Sequence, residues 1–141
     1  MLYLYIFGDN VEDRFGDIPF IIFYLLCGIG AIFLQLAFSI GSTVPNLGAS
    51  GAIAGVLGAY MVLFPKEKVK VLLGRQVMQL PALMVIGAWI VMQFFSGIGS
   101  IADTAQSDGG GVAYMAHIGG FLAGFVLTFL FRGSRVAPAT A

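Results

Sequence analysis

Ala116-His117-Ile118-Gly119-Gly120-Phe121-Leu122-Ala123-Gly124 sets the chain's single histidine inside an apolar run that extends from Val112 to Phe131. An ionisable side chain is costly within a bilayer, so one retained there marks a functional site. Its counterpart is the serine of Gly48-Ala49-Ser50-Gly51, which opens a second apolar run ending at Phe64. A serine hydroxyl becomes a nucleophile only when a base lies within hydrogen-bond reach. One serine and one base in apolar spans point to proteolysis inside the membrane.

The bulk composition agrees. The 141 residues are 59% hydrophobic and 10% charged, with a mean hydropathy of +0.96. A soluble domain carries about 25% charged residues, so the chain reads as a membrane protein. No basic patch suggests nucleic acid. The single cysteine, Cys27, excludes an intrachain disulfide framework and a cysteine zinc site and reads as an apolar packing residue. One histidine cannot build a catalytic zinc centre. No metal and no cofactor is expected.

Two further apolar runs, Ile18 to Ile40 and Leu80 to Phe95, join Ser50 to Phe64 and Val112 to Phe131, giving four spans. The stretches 41–46, 65–79 and 97–111 read as loops, the last a flexible connector around Gly109-Gly110-Gly111. Pro81 suits a helix start. Met1 to Phe7 rises only about 10 Å as a helix, so it reads as the C-terminal part of a fifth span. It lacks the basic start of a signal peptide. The expected fold is therefore an all-α polytopic bundle of four full spans plus part of a fifth. It occupies residues 1–132, and residues 133–141 form a disordered tail.

Alternating the spans collects all seven Lys and Arg on one side, which the positive-inside rule assigns to the cytoplasm along with the C-terminus. The Ser50 and His117 helices then both run from outside to inside, with the two side chains at similar shallow depth. Small residues allow close helix contact in lipid. The serine helix offers Gly51, Gly55 and Gly58, and the histidine helix offers Gly120 and Gly124. Packing these strips together is expected to bring hydroxyl and imidazole into contact. Other catalysts fail on position. Lys66 stands about 24 Å along the helix from Ser50, no carboxylate lies in a span, and the serine lacks the strand-borne elbow of soluble hydrolases. A transporter or channel is disfavoured because no second ionisable group lies deeper.

With these residues in place, the chain resembles the rhomboid family of intramembrane serine proteases. Gly48-Ala49-Ser50-Gly51-Ala52-Ile53 is similar to the nucleophile motif of the family's fourth helix. Ala116-His117-Ile118-Gly119-Gly120, with Gly124, is similar to the motif of its sixth. Phe7 to Gly16 resembles the segment ending its second helix, where a Glu and an Arg, here Glu12 and Arg14, hold a cytoplasmic polar network. The resemblance implies Ser50 as nucleophile, His117 as general base and the Ser50 backbone N–H as an oxyanion donor. It implies a transmembrane helix of another protein as substrate and the bilayer as the other partner, with oligomeric state open. It further implies 97–111 as a cap, the Leu80 helix as the border of substrate entry, and Trp89, Phe94 and Phe95 facing lipid or substrate.

Upstream of Met1, the resemblance places the family's first helix and the start of its second, with an oxyanion His and, four residues later, an Asn. Some members carry an aromatic at the position of Ala54, stacked on the histidine, so His117 needs other support here. A noncatalytic rhomboid-like protein that binds transmembrane helices is the alternative. The membrane is taken as a plasma membrane, the bacterial inner membrane.

Overall fold

The computed structural model describes residues 2–38, 49–73, 75–103 and 113–133. The loop at 41–46, Gly48, the stretch 104–111 and the tail from 134 lie outside the described residues. Five helices and one hairpin follow in the order α1 (Leu2–Phe15), α2 (Asp17–Phe38), α3 (Ser50–Leu63), β1 (Lys68–Leu73), β2 (Gln76–Pro81), α4 (Ala82–Asp103) and α5 (Tyr114–Phe131).

Among the described residues, three helices are long and apolar enough to cross a membrane: α2, α5 and Ala82–Gly99 within α4. The fourth expected span is shorter. Helix α3 has 14 residues, about 21 Å at 1.5 Å per residue, against a hydrocarbon core of roughly 30 Å. Phe64 caps it, donating to the Tyr60 carbonyl at 2.8 Å, and Pro65 follows.

The contacts give the helix directions. Gly51 meets Gly120 and Gly55 meets Gly124, so α3 and α5 run parallel, as the motif placement required. Gly30 of α2 lies against Ala123 and Gly119 against Leu34, so α2 runs antiparallel to both. Helix α5 is thus enclosed by α2 and α3. A ring cluster closes the other end, with Phe15 and Phe23 at 5.1 Å and Phe131 at 5.7 Å and 5.5 Å from them. Arg14 and Arg132 adjoin this cluster, and the strands bearing Lys68 and Lys70 follow α3 on the same side. The described cations therefore share one end of the bundle.

Two features depart from the sequence reading. The stretch 65–79, expected as a loop, contains an antiparallel hairpin paired from Lys68↔Pro81 to Leu73↔Gln76, so the fold is mostly rather than wholly helical. Buried Val69 joins Ala82 and Ile86 in the core, and the Ala82 N–H donates to the Glu67 carbonyl at 2.7 Å, tying the hairpin base to α4. Pro81 ends β2 immediately before that helix. Residues 97–103, expected to open the cap loop, continue α4. Helix α1 runs on to Phe15, ending within the Phe7–Gly16 segment. It stops at Gly16, whose φ of 91° needs a residue without a Cβ.

Candidate active site

Ser50 is the first residue of α3 and is exposed. The first hydrogen bond of that helix runs from the Ile53 N–H to the Ala49 carbonyl at 3.0 Å. The N–H groups of Ser50, Gly51 and Ala52 therefore have no intrahelical acceptor, which makes this end favourable to negative charge. His117 is the fourth residue of α5 and is half-buried.

The two helices meet through backbone. A methyl group at Gly120 would collide with the Gly51 carbonyl oxygen, and one at Gly124 with that of Gly55. A Cβ at Gly58 would stand 2.5 Å from the Phe121 oxygen, and one at Gly51 would stand 3.2 Å from the Ala116 oxygen. The residues after Ser50 and before His117 thus face each other. The strip on α3 is Gly51-Gly55-Gly58, so Ser50 sits one helical step, about 100°, from its centre. Among the described residues no hydrogen bond joins Ser50 to His117. Its Nδ1 instead lies 2.9 Å from Gln93 Oε1 of α4.

Helix α4 supplies the support that Ala54 cannot. The Trp89 ring lies 5.8 Å from the imidazole, tilted by 38°. Trp89, Gln93 and Gly97 recur at i, i+4 and i+8, one stripe of the helix. Gly97 is buried, and a Cβ there would stand 2.6 Å from the Met115 methyl. Trp89 is therefore half-buried against the histidine rather than turned to lipid, whereas Phe94 and Phe95 are exposed at 53% and 69%. Gln93 was not singled out in the sequence, although it is the one side-chain amide in its span and lies one turn from Trp89.

Helix α2 fixes the first turn of α5. Gln35 Oε1 accepts from the Ala116 N–H at 3.0 Å, satisfying a donor that precedes the helix's own bonding. At the opposite end, no ion pair joins Glu12 to Arg14 among the described residues. The polar link from α1 to α3 runs instead from Asn10 Nδ2 to the Tyr60 hydroxyl at 3.4 Å. Among the described residues no group of three His, Cys, Asp or Glu could hold a metal.

The family model for the Rhomboid domain matches residues 1–134. The chain belongs to the rhomboid family. It is 30% identical over 128 residues to "Rhomboid protein 1, mitochondrial" of Saccharomyces cerevisiae, covering 88% of this chain and 34% of that protein. It is 32% identical over 124 residues to "Rhomboid protease GluP" of Bacillus subtilis, with 88% and 21% covered. It is 28% identical over 130 residues to "RHOMBOID-like protein 4" of Arabidopsis thaliana, with 92% and 29% covered. This rhomboid chain therefore spans about a third or less of the length of these three relatives. No solved structure matches it. Family and apolar helices together make it an integral membrane protein.

Proposed function

We propose that this rhomboid chain forms the catalytic part of an intramembrane serine endopeptidase, with Ser50 as nucleophile and His117 as general base. The observation that carries the reading is the close backbone contact of Gly51 with Ala116 and Gly120, which holds the first turns of the two motif helices side by side. Kinship with a protein named as a rhomboid protease adds support.

In this mechanism the imidazole takes the hydroxyl proton as the serine oxygen attacks a peptide carbonyl. It then returns the proton to the leaving amine. The N–H groups at the start of α3, that of Ser50 first, receive the developing oxyanion. The substrate is a transmembrane segment of another protein, unwound locally because a helical peptide bond is shielded by its own hydrogen bonding. Water completes hydrolysis of the acyl-enzyme. The basic end of the bundle faces the cytoplasm, which places Ser50 toward the opposite surface. The bacterial inner membrane is the proposed site, and reporter fusions at residue 133 test that orientation.

Reaction with a fluorophosphonate tests the catalytic reading. Label is expected on Ser50, absent in Ser50→Ala and reduced about 10²–10⁴-fold in His117→Ala. Label that persists in Ser50→Ala defeats the assignment of Ser50, and a folded protein that never reacts while still binding transmembrane peptides favours the noncatalytic alternative.

A further inference from the structure

We propose that Gln93 is the positioning residue for His117, accepting the Nδ1 proton so that Nε2 carries the lone pair that serves as base. The inference deepens the Ser50–His117 reading and rests on it for its catalytic meaning.

The contact constrains the chemistry. Gln93 Oε1 lies 2.9 Å from Nδ1, and an amide oxygen only accepts, so Nδ1 has to donate. A neutral imidazole holds one ring proton, and with that proton on Nδ1 the Nε2 atom is left unprotonated. Free histidine prefers the opposite arrangement, with the proton on Nε2, which would leave no base on that nitrogen. An acceptor behind Nδ1 is thus what selects the useful tautomer. In serine hydrolases with a triad this task falls to a carboxylate. Here no carboxylate lies in α4 before Asp103, and the amide oxygen occupies the position.

The surroundings support a fixed geometry. Gln93 is 8% exposed and lies on the inward stripe of α4, where a misplaced amide would lack water to satisfy it. Trp89, one turn away, has its ring 5.8 Å from the imidazole and restricts its rotation. Gly97, one turn further, brings α4 close to Tyr114 and Met115 at the start of α5. The oxygen remains an acceptor when the ring becomes imidazolium, so the pair persists through proton transfer. Being neutral, it supports the cation less than a carboxylate would.

His117 is the chain's single histidine, so ¹⁵N-histidine labelling of the 141-residue chain in detergent micelles gives one imidazole to observe. At a pH where the ring is neutral, a pyrrole-type Nδ1 and a pyridine-type Nε2 are expected. Gln93→Met, similar in length but without the acceptor, should shift the ring toward the Nε2–H form. It should also lower kcat and the rate of fluorophosphonate labelling about 10–100-fold, comparable to the cost of losing the partner behind a metal-bound imidazole, with KM for a transmembrane substrate unchanged. Gln93→Glu, which keeps an oxygen at that position, should restore the Nδ1–H tautomer and most of the labelling rate.

A wild-type chain with its proton on Nε2 would overturn the inference even if Ser50 labels normally, as would a folded Gln93→Met with unchanged tautomer and rate. A chain that shows the Nδ1–H form, lost in Gln93→Met, but never labels would support the Gln93–His117 pairing and break the Ser50–His117 reading instead.

Discussion

Helix α5 meets its neighbours in opposite ways on two faces. Toward α3 it presents Gly120 and Gly124, and the two backbones touch with no side chain between them. Toward α4 it presents His117, and the contact is made by the long side chains of Trp89 and Gln93. The first face fixes where the two helices stand relative to each other, because a backbone contact has no rotamers to adjust. The second fixes how one ring is turned, and a side-chain contact can be retuned by single substitutions. The relative placement of Ser50 and His117 and the orientation of the imidazole are thus set by two kinds of contact, one through backbone and one through side chains.

The glycine face should be the harder one to alter. Gly120→Ala drives a methyl into the Gly51 carbonyl, where relief requires moving a helix rather than a side chain. The expected cost is at or above the roughly 1–3 kcal/mol of ordinary overpacking, read as loss of folded protein in a thermal melt in detergent. A melt within error of wild type would mean that α3 and α5 are not in backbone contact. A smaller effect is expected from Gln35→Leu, which removes the acceptor of the Ala116 N–H and leaves that donor unsatisfied, at about 1–3 kcal/mol. Faster hydrogen exchange at Ala116 would accompany it, and unchanged exchange would discount the cap. Gly87→Ala sharpens the comparison from the other side. Nothing lies within 4 Å of a Cβ there, so the variant should gain up to about 1 kcal/mol from helix propensity. If it destabilises as much as Gly120→Ala, glycine content rather than close approach governs the bundle.

Much of this arrangement was legible in the sequence, for identifiable reasons. Apolar length disclosed α2, α4 and α5, and the spacing of Gly120 and Gly124 from His117 disclosed the face that α5 turns to α3. The serine's own position was less well read. The packed strip of α3 starts at Gly51, and Ser50 and Ala54 lie beside it. The hairpin had a signal in the alternation Lys68-Val69-Lys70-Val71 and the Gly74-Arg75 pair, but charge and Pro65 made the stretch look like a loop. Gly97 looked like a breaker, whereas packing on Met115 keeps it helical. Gln93 carries no charge to mark it, although an uncharged amide meets the same shortage of partners inside a bilayer. Its contact with His117 joins residues 24 apart, a pairing that no local pattern announces.

Gly16 does two jobs at once. Its N–H closes α1 on the Glu12 carbonyl at 2.6 Å, and its own carbonyl accepts from the Phe20 N–H at 2.9 Å in the first turn of α2. One residue thus serves as the end of one rod and the start of the next, with no slack chain between them. Such a joint transmits displacement instead of absorbing it. Under mechanical load, a pull on α1 should draw α2 with it, and the pair should lengthen as one step on a force–extension trace.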